Sequence, residues 1–182
     1  MILKPRAGID DLYRVKGKAE LVNGEIKLMS PTGGRPGLAG GRIYASLLRH
    51  QEDRGGGYAV PDNVGFTVDL PNRQSFSPDA AWYTGQIVDM DFLSGAPALA
   101  VEVRSKGDYG PAAERDIAAK IADYFAAGTR VVWDVDLLSP DVVRKYTPDR
   151  PTERAVFRAG EIADAEPAVP GWRLSVDLLL KY

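Results

Sequence analysis

Residues 97–104 read Pro97-Ala98-Leu99-Ala100-Val101-Glu102-Val103-Arg104, an apolar run interrupted by a single carboxylate. Such a run suits a central strand covered on both faces, and the leading proline suits its first position. A carboxylate inside such a strand is costly to bury unless a cation or hydrogen-bond donor meets it. Glu102 and Arg104 stand two residues apart, so both project from one face of the strand. The stretch therefore marks the middle of a sheet and a point where charge is gathered.

Downstream, Gly110-Pro111 opens a helix that the spacing of Ile117, Ile121 and Phe125 carries to about Ala127, where Gly128 closes it. Residues 130–135 and 142–146 follow as strands of a hairpin, with a further strand at 155–158 and a short terminal segment at 176–180. Upstream, residues 76–83 form a strand carrying Ser77-Pro78-Asp79, preceded by a turn at 70–73 and strands at 64–70 and 58–60. Leu38, Ile43, Leu47 and Leu48 give a helical face over 38–54, which Gly55-Gly56-Gly57 ends. Residues 30–37 are a loop rich in glycine and proline, and 19–29 a hairpin about Asn23-Gly24, whose residues tolerate positive φ. The order predicts one α/β domain over 1–182, a mixed sheet with helices packed on it.

Composition narrows the chemistry. The 182 residues are 45% hydrophobic and 26% charged, as in an ordinary globular chain. There is no cysteine, and His50 is the only histidine. Thiolate zinc sites, cysteine nucleophiles and two-histidine metal sites are excluded, so a metal site must use oxygen ligands, which favours magnesium, calcium or manganese. Residues 1–10 lack the apolar core of a signal sequence and no long apolar stretch occurs, so a cytoplasmic protein is expected. The net charge of −2 gives no global attraction for nucleic acid. Any such contact must come from local cations, and Arg35, Arg42 and Arg49, the last two on one face of the first helix, are the candidates.

Asp79 and Glu102 are the candidate metal ligands, because neighbouring strands would let both reach one divalent cation. Magnesium takes few carboxylates and completes its octahedron with waters and phosphate oxygens, and the metal acidifies a bound water. Arg104 stays protonated and is a candidate phosphate clamp. The bland alternatives are specific: Glu102 in a structural ion pair with Arg104 or Lys120, Lys120 paired to Asp116 on the helix surface, and His50 favoured by a helix C-terminus. Asp134 and Asp136 are expected to be solvated at a strand end. The Gly-rich runs lack the Lys-Ser/Thr ending of a P-loop.

Taken in order, Glu20-Leu-Val-Asn-Gly-Glu25, Ser77-Pro78-Asp79, Val101-Glu102-Val103-Arg104-Ser105, Lys120 with Tyr124-Phe125-Ala126-Ala127-Gly128, and Val132-Trp133-Asp134-Val135-Asp136 resemble successive signatures of the Uma-type restriction endonuclease family, within the PD-(D/E)XK nuclease superfamily. The resemblance spans roughly 12–182. It implies a restriction-endonuclease-like fold, DNA as substrate and a Mg²⁺ site (Mn²⁺ as substitute) at Asp79 and Glu102. Glu20 is similar to the family's accessory acidic residue. The superfamily's Glu-x-Lys is Glu-x-Arg here, and the resemblance moves the basic role to Lys120, with Lys106 as the other candidate. Two strands of DNA call for two sites, which a homodimer would supply. Two rivals share the fold: a catalytically inactive nucleic-acid-binding protein, and an oligomer-forming protein whose acids are paired internally.

Overall fold

The computed structural model describes residues 6–182, so the first five residues of the stretch read as leaderless lie outside it. Helix α1 (Ile9–Leu12) precedes the hairpin β1 (Ala19–Val22) and β2 (Glu25–Leu28). Asn23 and Gly24 adopt φ of 54° and 73°, the paired left-handed conformation of the tight turn that their sequence announced. Next come α2 (Gly34–Arg54), β3 (Tyr58–Val60), β4 (Phe66–Leu70), β5 (Arg73–Phe76), β6 (Ala80–Tyr83), β7 (Leu93–Ser94) and β8 (Leu99–Val103). The chain continues through α3 (Pro111–Ala126), β9 (Val131–Val135), β10 (Val143–Thr147), β11 (Arg150–Phe157), β12 (Ile162–Asp164), β13 (Arg173–Ser175) and α4 (Asp177–Leu180).

The expected α/β architecture is present, with its strands divided among three sheets. One has the order β2-β1-β5-β4-β7, a second β11-β10-β9-β8-β6-β3, and β12 pairs with β13 alone. The apolar run 99–103 is central in the six-stranded sheet, antiparallel to β6 and parallel to β9. Helix α3 is the crossover that a parallel β8–β9 pair requires. On one sheet face Leu99, Val101, Val103, Trp133 and Val135 pack with Ile43 and Leu47 of α2. On the other, Ala100, Val132, Ala81 and Tyr83 pack with Ile121 and Tyr124 of α3 and with Phe66 and Phe76 of the five-stranded sheet.

Several boundaries differ from expectation. The strand expected over 76–83 divides at Ser77-Pro78-Asp79, its first part in the five-stranded sheet and its second in the six-stranded one. Pro78 has no N–H for a ladder, which suits the point where the chain leaves one sheet for the other. Helix α2 begins four residues before Leu38, with Pro36 in a first turn where N–H groups lack helical partners, and Leu38 itself is exposed. The terminal segment is the short helix α4, docked on α2. No helix of the described residues is long and apolar enough to cross a membrane.

Candidate active site

Sheet register sets out the site. Ala80 lies opposite Val101 at the end of the antiparallel β6–β8 ladder, and Asp79 just precedes it, lining the same cleft as Glu102. Glu102 in turn pairs with Asp134 of β9, and Asp134 with Arg144 of β10. Paired residues share a sheet face. Glu102, Asp134 and Arg144 therefore form a row on the side facing α3, and Asp79 stands at its end just before β6. Adjacent carboxylates repel, and each is met by a cation: Lys18 at Asp79, Lys120 at Glu102, and Arg104 and Arg144 at Asp134.

At Asp79 the backbone fixes the side chain. Its N–H donates to the Val101 carbonyl at 3.0 Å, and its Oδ2 accepts the Val103 N–H at 2.8 Å. Helix α2 backs it at Gly40, where a Cβ would lie 3.6 Å from that of Asp79. Its Oδ1 meets Lys18 Nζ at 2.8 Å, and the same ammonium reaches Asp62 Oδ1 at 2.6 Å.

Lys120 of α3 bridges the two sheets, its Nζ 2.9 Å from both Glu102 Oε1 and Glu20 Oε1. Tyr124, one turn on, donates its hydroxyl to Glu102 Oε1 at 2.6 Å while its ring stacks on Phe76. Glu20 is held further by Arg73 at 2.6 Å and the Ser77 N–H at 2.9 Å, and Arg73 also pairs with Asp123 at 2.8 Å.

Burial pushes the Glu102 carboxyl above its ordinary pKa; Lys120 opposes this, but the charges of Asp79 and Glu20 reinforce it. Glu20 moves the other way, because Lys120 and Arg73 outweigh its burial. Burial alone would lower Lys120, yet Glu102 and Glu20 hold it above the lysine range, so it is an ammonium donor at neutral pH. Tyr124, raised by burial and then by Glu102, keeps its proton.

These groups line one cleft of about 800 Å³ that includes Lys18, Glu20, Asp79, Glu102, Lys120 and Tyr124. Among the described residues no three acidic or histidine side chains converge as a ready-made metal cage, and lysine ammoniums sit on the carboxylates instead. The donor set fits a lightly held Mg²⁺ nonetheless: hard oxygens only, with Glu102 Oε2 accepting no hydrogen bond from the described residues.

The family described as "Uma2: Putative restriction endonuclease" matches residues 9–177. The chain belongs to the Uma2 family. The crystal structure of a putative nuclease belonging to DUF820 from Anabaena variabilis ATCC 29413 superimposes with a TM-score of 0.74 at 17% identity, over 94% of this chain and 96% of that one. At that identity the likeness is one of fold. Among curated proteins, none matches.

Of the residues singled out in this Uma2 chain, the structure brings together Asp79, Glu102, Lys120 and Glu20. Arg104 lines the same cleft but is engaged by carboxylates: Nε and Nη2 each lie 2.7 Å from Asp134, and Nη1 and Nη2 grip Glu114. Each of its three nitrogens already meets a protein carboxylate, which weighs against the phosphate-clamp expectation. Asp134 and Asp136, expected to be solvated, are 1% and 5% exposed, because Arg104 and Arg144 come to meet them. Arg35 lies over the Tyr182 ring, and Arg42 donates to the carbonyls of Leu178 and Lys181, capping α4. Arg49 and Lys106 are exposed, and His50 meets the edge of Trp82. Three site residues were missed. Lys18 lies in irregular chain without periodicity, and Arg73 reads as part of a turn. Tyr124 carried a usable signal, four residues from Lys120 on the same stripe.

Proposed function

We propose that the chain is a Mg²⁺-dependent endonuclease that hydrolyses phosphodiester bonds in DNA. The convergence of Asp79, Glu102, Glu20 and Lys120 in one cleft carries this reading, and membership of the Uma2 family supports the DNA substrate. Asp79 and Glu102 would hold the metal. When bound, Mg²⁺ supplies positive charge to the phosphate and acidifies a water for attack on phosphorus.

The remaining work falls to the chain's own groups. Lys120 stays protonated, so it orients the attacking water and balances charge growing on the phosphate oxygens rather than removing a proton. Glu20 fixes the ammonium from the far side. Tyr124 holds one oxygen of Glu102 and leaves the other free for the cation. Each site cuts one strand, so cleavage of both strands calls for a homodimer or two encounters.

The test is cleavage of supercoiled and linear DNA with Mg²⁺, comparing wild type with Asp79→Ala and Lys120→Ala. Loss of nicking in both variants is expected. Equal nicking by wild type and Asp79→Ala would reveal a contaminant. Absence of cleavage by wild type, with DNA binding retained, would leave the binding-protein reading, which the lysine-occupied carboxylates favour.

A further inference from the structure

Lys18 has no task in that reading, and its position calls for one. Its ammonium is shared between two carboxylates of different standing. Asp79 has a side chain only 15% exposed, and its Oδ2 is committed to the Val103 N–H. Asp62 is 47% exposed. Oδ1 is thus the oxygen of Asp79 that can turn to a cation from outside, and Lys18 already sits on it at 2.8 Å. Lys120 differs, being lodged between two largely buried carboxylates, Glu20 and Glu102.

Resting on the reading of Asp79 as a metal ligand, we propose that Lys18 is a tethered counter-cation, holding the metal-facing oxygen of Asp79 in the metal-free protein and withdrawing to Asp62 when a divalent cation binds. The parking place is close and accessible: Asp62 Oδ1 already lies 2.6 Å from Nζ, so withdrawal breaks one contact and keeps the other. Two consequences follow from charge alone. In the metal-free protein Lys18 relieves the repulsion between Asp79 and Glu102, whose charges act on each other in the cleft. With metal present it competes for Asp79, so the apparent affinity is reduced by the fraction of molecules in which Oδ1 is taken.

Calorimetric titration of the full chain with Mn²⁺ and with Mg²⁺, and thermal unfolding with and without metal, test this without an activity assay. Lys18→Met should bind metal about tenfold or more tightly. Its metal-free form should melt below wild type, and saturating metal should close that gap. Lys18→Arg, which keeps the charge, should keep wild-type affinity. Asp62→Asn removes the parking place and should weaken metal binding, an effect that should shrink in the Lys18→Met background. Asp79→Asn tests the underlying reading, and metal binding should vanish. If wild type binds metal and Asp79→Asn does not, yet Lys18→Met binds no tighter, the counter-cation is overturned while the metal site stands. If Lys18→Met does not fold, unchanged or tighter binding by Asp62→Asn overturns it. Wild-type affinity in Asp79→Asn would overturn the metal-ligand reading, and the proposal with it.

Discussion

At one end of the charged row Asp134 meets Arg104 and Arg144; at the other Asp79 and Glu102 meet Lys18 and Lys120. Both ends put carboxylates and cations on one sheet face, yet they are built differently. The arginine end is locked by its hydrogen bonds. Asp134 is 1% exposed, both its oxygens are taken by guanidinium forks, and Arg144 goes on to Asp136, which also accepts from Tyr109. Both ends line the cleft, but the cations of the lysine end are point charges that carry no planar fork to lock the carboxylates. A satisfied fork holds structure together, whereas an ammonium on a cleft carboxylate can be exchanged for another cation. The difference separates a brace from a site, although sequence spacing places Arg104 and Glu102 side by side.

The largest expected break in this contrast is catalytic. Lys120→Ala should lower Mg²⁺-dependent DNA cleavage by about 10²–10⁴-fold, the range for a positioned group acting on the transferred charge or proton. It should also cost some stability, since Glu20 and Glu102 lose their shared cation. Single-turnover cleavage beside urea unfolding separates the two effects, and a stable variant with wild-type rate would move the role to Lys106.

Next in size is the brace. Arg104→Ala leaves Asp134, with a side chain 2% exposed, short of its main partner. Stripping one member from a buried pair costs about 3–5 kcal/mol, read as a lower urea midpoint, while Mn²⁺ affinity should stay near wild type. Arg104→Lys, which would restore the superfamily's Glu-x-Lys, should destabilise as well, because one ammonium does not replace a fork on Asp134 and a grip on Glu114. A rise in cleavage by Arg104→Lys at unchanged stability would return this residue to the site.

How far the sequence reaches can be judged from these residues. The strand 99–103, the hairpin turn at Asn23-Gly24 and the crossover helix were legible because apolar run, turn chemistry and helical spacing are local signals. Asp79 and Glu102 were legible because an acid in or beside an apolar strand needs a partner. The partners themselves were not: Lys18, 61 residues from Asp79, and Arg73, 53 residues from Glu20, arrive by tertiary folding. The engagement of Arg104 was hidden for the same reason, since nothing near it in sequence announces Asp134, 30 residues away. The division of strands among sheets turns on Pro78, where a missing N–H can be read but its destination cannot.

A smaller effect sharpens the site end. Glu102→Gln should leave the metal-free protein as stable as wild type to within about 1 kcal/mol, because the carboxylate is opposed by burial and by the charges of Asp79 and Glu20, and an amide oxygen can still accept from Tyr124 and Lys120. Mg²⁺ binding, followed by calorimetry, should be lost. A large loss of stability with intact metal affinity would make Glu102 a structural ion pair instead.

The smallest expected effect lies at the exposed edge of the brace and is seen only against pH. Glu114, whose side chain is 55% exposed, has its carboxyl held below the ordinary glutamate pKa by its hydrogen bond to Arg104. The sign follows from proton linkage. With the folded pKa depressed, the unfolded chain binds more protons through the transition, so the contribution is present above the ordinary value and is lost as pH falls through the folded one. The window therefore opens near about pH 4.3 and extends below it, on the acid side only. Glu114→Gln should match wild type in acid, fall slightly below it near neutrality, and show a shallower acid limb in urea midpoint against pH. Solvent and salt screen a pair this open, so the gap should narrow as ionic strength rises. Arg104 bonded to Asp134 should be indifferent to salt by comparison, because that contact is out of water. If the Glu114→Gln curve instead parallels wild type throughout the acid limb, the carboxylate whose ionisation sets that limb lies elsewhere, and Asp164, held below its ordinary range by Lys145 against the effect of burial, is the next to replace.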